Sequence, residues 1–168
     1  MLKRNDDLKV GGYFVIYVVD HERIERQLRY LGHCVEVLKK GEAQLDRLAQ
    51  DAILQFAIAR ALHLAVETII DVGDALISSY LMRDPGGYED IIDILEDEQV
   101  IPSEATAQLK ERVRLRERLV RHYEKVEVSE LIAAIKNYED LVQFPTWVAN
   151  FMEREAQRSG FKGQENGS

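Results

Sequence analysis

The sequence predicts an all-α protein, an up-and-down helical bundle. Three observations favour this fold class: apolar residues recur at helical spacing over most of the chain, only 3 prolines and 10 glycines occur in 168 residues, and clear breaks separate the periodic segments. Amphipathic helices joined by short loops pack in this way. A chain of this length suits one domain, which we place at residues 20–158.

The two ends of the chain are predicted to lie outside that domain. Residues 1–19 form an N-terminal extension, with 1–12 as a disordered lead-in and the β-branched run 13–19 as an extended segment covering the core. This run is too short to span a bilayer, and no small-residue cleavage site of a signal peptide follows it. Residues 159–168 are predicted to be a flexible C-terminal tail.

The first half of the domain has the pattern of two long helices. Asp20 is a suitable N-cap for the first helix, which ends near Gly41. The second helix covers about 51–82, and Gly73 inside it predicts the close approach of another helix. The sequence DPGG at 84–87 is the clearest break in the chain.

Four further helices are predicted after this break, because apolar residues again recur at helical spacing. Their approximate ranges are 88–97, 102–124, 129–142 and 146–158. Pro102 suits a helix start, and Pro145 is expected to break or kink the chain between the last two helices.

Charge is distributed unevenly along the chain. The net charge is −8, so the bulk surface should repel nucleic acid, and a nucleic-acid role must depend on a local patch. Residues 110–125, KERVRLRERLVRHYEK, hold seven Lys or Arg and three Glu, a charge of +4 against −12 for the remaining residues. This segment is either a solvated face of Glu–Arg pairs or an anion site, because guanidinium groups bind phosphate in bidentate fashion.

The spacing within residues 110–125 constrains what one helix can do. Tyr123 lies nearly on the same face as Arg116, seven residues earlier, whereas His122 is about 120° away from Arg116 around the helix. One helix cannot easily direct Arg116 and His122 at one point. Two copies facing each other across a dimer axis could do so.

The long second helix carries a polar stripe. Glu67 and Asp71 in this stripe are predicted to pair with arginines of residues 110–125. A carboxylate metal site would need Glu-x-x-His pairs repeated on other helices, and no second set is found, so we predict no metal site. The same stripe also contains Arg60, His63 and Asp74.

The remaining histidines and the cysteine are interpreted as structural. His33 and His63 lie within predicted helices and are expected to be packing residues, and His21 is expected at the surface of a first turn. Cys34 is expected to be a small core residue. As the only cysteine it permits no internal disulfide, which fits a reducing cytoplasm.

The ordered set of segments resembles the HepT-like branch of the HEPN superfamily over roughly 18–150. RALHLAVETIIDVGDALIS at 60–78 is similar to the family's long second helix. Residues 100–131 are similar to the segment with the signature Arg-x4–6-His, and 141–144 resemble the hydrophobic closing helix. The resemblance implies a helical bundle that forms a symmetric homodimer, with the signature Arg and His lining a cleft at the dimer interface.

The resemblance also implies an activity and a partner. Active members of the family are endoribonucleases that need no metal or other cofactor. Many are toxins of type VII HEPN/MNT pairs and are neutralised by an MNT-type nucleotidyltransferase antitoxin. In some pairs this antitoxin adds AMP to the motif tyrosine of the toxin.

The branch motif Arg-Asn-x-x-x-His-x-Tyr matches this chain with one displacement. Arg116 takes the Arg position and Tyr123 the Tyr position, whereas Glu117 replaces Asn. Arg121 falls on the His position, so the histidine comes one residue late, at His122. The superfamily spacing still permits this pair, but one residue turns a side chain by about 100°. His122 therefore reaches the cleft only if the helix ends or kinks there.

We therefore expect a cytoplasmic, dimeric endoribonuclease that acts on RNA, has an MNT-type antitoxin and does not bind a membrane. The alternative is a non-catalytic protein of the same fold that binds a nucleotidyltransferase or a nucleotide through the same basic cleft. The expected site comprises catalytic Arg116 and His122, phosphate-binding Arg112, Arg118 and Arg121, the AMP acceptor Tyr123, and supporting Glu67 and Asp71.

Overall fold

The computed structural model describes the backbone of residues 6–10, 13–17 and 19–165 and the side chains of 19–158. Within these ranges seven α-helices follow a short β-hairpin, which confirms the all-α prediction for the domain. The hairpin strands are β1 (Asp6–Val10) and β2 (Tyr13–Tyr17). The helices are α1 (His21–Glu42), α2 (Leu45–Leu48), α3 (Ala52–Ser79), α4 (Tyr88–Asp97), α5 (Ser103–Arg121), α6 (Val128–Ile135) and α7 (Glu139–Glu165).

The N-terminal extension contains regular structure. The strands β1 and β2 are antiparallel, with Val10 opposite Tyr13 and Asp6 opposite Tyr17. The prediction of a disordered lead-in was therefore wrong for residues 6–10, because the β-branched run supplies a strand whose backbone groups pair with this segment. Residues 13–19 were also predicted to cover the core. Except for Val19, their side chains lie outside the described residues.

The core forms around α3, which contacts α1, α4, α5 and α6. Both long helices begin at aspartate N-caps: Asp20 accepts from the N–H of Arg23, and Asp51 accepts from that of Leu54. By length and composition α3 could also cross a membrane, a property it shares with core helices of soluble proteins. Twelve of its residues are buried against the neighbouring helices. Cys34 of α1 is buried in the same core, as predicted.

The close approach predicted at Gly73 is confirmed. A methyl group built on Gly73 would lie 2.6 Å from Cγ2 of Ile91 on α4, well inside van der Waals contact. Glycine therefore lets α4 pack directly against the backbone of α3.

The helix boundary expected at Pro145 lies elsewhere. The break between α6 and α7 falls at residues 136–138, and Pro145 lies inside α7. The predicted break was wrong, because α7 continues through Pro145 with the loss of one backbone donor, whereas the break at 136–138 is stabilised by a buried side chain from α5, described below. A kink at Pro145, the other outcome expected from the sequence, stays a prediction. The helix also continues to Glu165, beyond its expected end near 158.

Candidate functional site

Arg112 is a buried structural residue and not part of an open basic surface. Its side chain is 2% exposed, and its Nε donates to Asp140 Oδ2 at 2.5 Å while Nη2 donates to Oδ1 at 2.7 Å. The same guanidinium donates to the carbonyls of Ala134 and Asn137 at the end of α6. The interpretation of Arg112 as a phosphate-binding residue is therefore corrected, because its donors stabilise the α6–α7 junction.

Arg116 is mostly buried between α5 and α3, and its guanidinium is held in a defined orientation. Its Nε donates to Glu67 Oε1 at 2.7 Å, and its Nη2 contacts the same oxygen. The Cζ atom of its guanidinium lies over the ring of Tyr88, 4.8 Å from the centroid, in a cation–π contact. The side chain is 13% exposed, and among the described residues its Nη1 forms no hydrogen bond. The predicted pairing of Glu67 with this helix is present, and one nitrogen of Arg116 remains available to an anion.

His63 extends this contact along the outer face of α3. Its Nε2 lies 3.1 Å from Glu67 Oε1, and its Nδ1 lies 3.1 Å from Nη1 of Arg60. His63 is thus a mostly buried histidine whose two ring nitrogens are satisfied by polar partners, as expected for a packing residue, and these partners lie beside Arg116. His33, also expected to be a packing residue, is instead exposed on α1 beside Tyr30.

Asp71 does not pair with the arginine-rich segment. Its Oδ2 accepts a hydrogen bond from Nε2 of Gln27 on α1, at 3.2 Å. Both residues line an open groove of about 540 Å³ between α1 and α3, and Glu67 lies at the boundary between this groove and Arg116. The prediction that Asp71 supports an arginine of α5 was therefore wrong, because α1 and not α5 packs beside this turn of α3.

The arginine-rich helix ends at the residue before His122. Helix α5 stops at Arg121, and His122 is its C-cap, with φ −134° and ψ 36°, followed by a 3₁₀ turn at Tyr123–Lys125. The side chain of His122 therefore does not point in the direction that it would have if α5 continued through this residue. Both His122 and Tyr123 are exposed, Tyr123 by 72%. Along the axis of a helix, six residues separate Arg116 from His122 by about 9 Å.

The two remaining candidate phosphate-binding arginines differ in their partners. Arg118 donates to the carbonyl of Lys125 at 3.2 Å and forms an ion pair with Glu130 at 2.7 Å, so it holds the 3₁₀ turn against α6. Arg121 is exposed and has no hydrogen-bond or ion-pair partner within residues 19–158. Arg121, which stands at the histidine position of the motif, is thus an unpaired cation at the C-terminal end of α5 among the described residues.

Tyr88 is a site residue that the sequence reasoning missed. It is the first residue of α4, directly after the DPGG break, and the loop before it is held by Asp90. Asp90 accepts from both terminal nitrogens of Arg83, at 2.7 and 2.8 Å, and from the N–H of Gly86 at 2.7 Å. The Arg83 guanidinium, followed by the Gly86 N–H, lowers the pKa of this carboxyl to about 2. The only signal in the sequence was an aromatic residue at a helix start after a glycine pair.

The sequence comparison establishes the family. The family described as "Ribonuclease HepT-like" matches residues 22–147. The chain belongs to the HepT-like ribonuclease family. The Bacillus subtilis protein YutE, named as a candidate RNase, is 35% identical over 141 residues, which are 83% of this chain and 94% of that protein.

Solved structures have the same fold as this HepT-like chain. The structure of YutE, described as a cytosolic protein of unknown function, has a TM-score of 0.72 and covers 83% of this chain and 95% of that one, at 34% identity. A toxin–antitoxin structure with AMP-PNP has a TM-score of 0.73 at 18% identity and covers 77% and 99%. The tri-AMPylated HEPN toxin of Shewanella oneidensis, in complex with an MNT antitoxin, has a TM-score of 0.71 at 20% identity and covers 76% and 96%.

Proposed function

We propose that this HepT-like protein is a cytoplasmic, metal-independent endoribonuclease and the toxin of a type VII HEPN/MNT pair. The observation that carries the proposal is the state of Arg116, which is held by Glu67 and Tyr88 with Nη1 left for an outside anion. Arg116 occupies the Arg position of the family signature, and a preoriented guanidinium suits a phosphate whose charge grows during the reaction.

The proposed reaction uses the ribose of the substrate as the nucleophile. His122 removes the proton from the 2′-OH, and the oxygen attacks the adjacent phosphorus. The bond from phosphorus to the 5′ oxygen breaks, and that oxygen leaves with a proton from water. Histidine suits this role because its side chain exchanges protons near neutral pH. Arg116 stabilises charge on the non-bridging oxygens, while Arg121 and the outer part of Arg118 hold neighbouring phosphates.

The site is proposed to be completed in a homodimer. The outer face of α3 that carries Glu67 continues toward its N-terminus with apolar side chains open to solvent, Ile53 at 84% and Phe56 at 78% exposed. Val120 on α5 is 39% exposed. Ile53 and Phe56 lie close together on one face of α3, and we propose that a second copy of the chain covers them. A two-fold axis at this face would bring two Arg116–His122 sets into one cleft.

The nuclease proposal is tested with purified protein and single-stranded RNA in the presence of EDTA. We expect cleavage to leave a 2′,3′-cyclic phosphate and a 5′-OH, and to fall at least about 100-fold in Arg116→Ala and in His122→Ala. Arg114→Ala is the matched control, because Arg114 lies on the same helix but pairs with Glu89 on α4. Cleavage that survives both site substitutions, or that stops in EDTA, would overturn the mechanism.

Tyr123 is the proposed site of neutralisation. A solved HEPN toxin of the same fold is tri-AMPylated and bound to an MNT antitoxin. In the proposed reaction the Tyr123 oxygen attacks the α-phosphorus of ATP, pyrophosphate leaves and the phenolic proton is released. Tyr123 is exposed and lies beside His122, so an added adenylyl group would block the basic end of α5. Incubation with the antitoxin and ATP should add adenylyl mass to the wild type and not to Tyr123→Phe.

A non-catalytic protein of the same fold is the second candidate. Glu117 stands at the Asn position of the motif, Arg121 at the His position, and Glu67 partly neutralises Arg116. Inducible expression separates the two candidates. Growth arrest that disappears in Arg116→Ala supports the nuclease, whereas harmless expression of the wild type without any antitoxin supports the binding protein.

A further inference from the structure

His63 is the second histidine at the candidate site, and neither the family signature nor the proposed mechanism uses it. It lies one turn before Glu67 on the outer face of α3, and its side chain is 20% exposed. Its two ring nitrogens contact Arg60 and Glu67, each at 3.1 Å.

These two contacts fix the tautomer of His63. A guanidinium has donors only, so Nη1 of Arg60 must donate and Nδ1 of His63 must accept. The ring proton of the neutral imidazole is therefore on Nε2, which donates to Glu67 Oε1. The direction of both hydrogen bonds follows from the chemistry of Arg60.

The contacts of His63 and Arg116 converge on a single oxygen. Oε1 of Glu67 accepts from His63 Nε2 and from Arg116 Nε, and Nη2 of Arg116 contacts it as well. A glutamate side chain on a helix surface has several rotamers, and a donor on its own helix restricts them. His63 thus holds the carboxylate in the position that Arg116 requires.

We propose that His63 is a positioning residue: the chain Arg60–His63–Glu67 holds the guanidinium of Arg116 in its phosphate-binding orientation. The kinetic part of this inference rests on the proposed ribonuclease activity. The positioning itself does not, since it concerns hydrogen bonds within the protein alone.

The first experiment measures the hydrogen bonds without any activity. In the wild type, long-range ¹H–¹⁵N spectra should show the His63 proton on Nε2. Replacement His63→Leu should make exchange of the Arg116 Nε–H about tenfold faster, the change expected for the loss of one hydrogen bond. His63→Gln should retain slow exchange, since its amide can donate to Glu67 and accept from Arg60. A proton on Nδ1, or equal exchange in all three proteins, would overturn the proposal.

The second experiment separates positioning from a structural role by kinetics. For RNA cleavage we expect His63→Leu to lower kcat about tenfold with little change in KM, and His63→Gln to restore most of it. The control is His21→Leu, a surface histidine at the start of α1. An active enzyme whose kcat is unchanged in His63→Leu contradicts the inference. A wild type without cleavage instead removes the proposed function and leaves the exchange measurement to decide the role of His63.

Discussion

At the scale of single residues, neighbouring arginines of α5 differ in burial and in their ion-pair partners. Arg112 is buried against Asp140 and closes the α6–α7 junction, whereas Arg116, one turn later, is directed at Glu67 and the surface. Arg114, between them, forms an exposed pair with Glu89. The sequence presents all three as equivalent cations, and their burial distinguishes a structural role from a binding role.

Arg112→Ala is expected to destabilise the fold strongly. Removing one partner of a buried ion pair leaves the Asp140 carboxylate without its charge partner, which costs about 3–5 kcal/mol in the free energy of unfolding. Urea denaturation measures the change, and Arg114→Ala is the exposed control that should change stability far less. Equal stability of the two variants would show that the buried pair is not the strong interaction inferred here.

The direction of the His122 side chain depends on the backbone conformation of that residue. His122 caps α5 with non-helical angles, so the chain turns at the residue where the family motif is displaced by one place. Sequence spacing alone left this open, because a C-cap without glycine or asparagine has no strong signal.

At the scale of elements, the loop between α3 and α4 controls the position of Tyr88. Asp90 closes this loop through Arg83 and the N–H of Gly86. The loop before Tyr88 is thus held by Asp90, while α4 itself is held in the core by buried residues such as Ile91.

The loop should respond to acid. The folded-state pKa of Asp90 is lowered to about 2, below its ordinary value, so its contribution to stability is complete above about pH 4 and is lost as the pH falls through about 2. An NMR titration of the side-chain carboxyl should show this low midpoint, and Arg83→Leu should raise it. If the Asp90 carboxyl of the wild type titrates near the ordinary pKa of aspartate, the contacts with Arg83 and Gly86 do not hold this loop.

The contact between α3 and α4 depends on the absence of a side chain at residue 73. Gly73→Ala should lower the free energy of unfolding by about 1–3 kcal/mol, because the new methyl group overlaps Ile91 in a well-packed core. The matched control is Gly32→Ala on α1, where nothing lies within 4 Å of the new methyl group. Helix propensity predicts that the control is more stable than the wild type by about 0.5–1 kcal/mol. Thermal unfolding of both variants tests whether Gly73→Ala lowers and Gly32→Ala raises the stability relative to the wild type.

At the scale of the whole molecule, the candidate site lies on a face of α3 that also exposes apolar side chains. One face carries Glu67, His63 and Arg116 together with the open side chains of Ile53 and Phe56. Apolar groups this exposed are costly in water unless a partner covers them. The proposed dimer would cover them and would double the positive charge at a single cleft.

If the proposed homodimer forms through this face, Phe56→Glu should make the protein monomeric. In a two-fold dimer the substitution places one new glutamate from each protomer at the interface, and the repulsion of these two like charges opposes association. Sedimentation velocity measures the mass, and RNA cleavage should fall with the loss of the dimer. Leu81→Glu is the control, because Leu81 is an exposed apolar residue that follows the C-terminal end of α3, whereas Phe56 lies near its N-terminal end. A Phe56→Glu protein that remains dimeric would place the interface elsewhere.

The sequence by itself determined the helical class, the N-cap Asp20, the family and the segment that carries Arg116, His122 and Tyr123. These features are local: helical periodicity, capping residues and motif spacing are all read within a few turns of chain. The pairing of Glu67 with an arginine of α5 was also predictable, because an acid on a core helix requires a partner.

The tertiary structure alone decided the roles of the arginines of α5. Arg112 is buried, Arg116 is held by Glu67, and Arg121 is exposed. Glu67 and Arg116 are 49 residues apart in sequence, and Arg112 meets Asp140 across 28 residues. Such contacts depend on how helices cross, and a small rotation of α5 would exchange the buried arginine for the exposed one. The same dependence explains why Tyr88 and His63 became site residues only when α3, α4 and α5 were seen packed together.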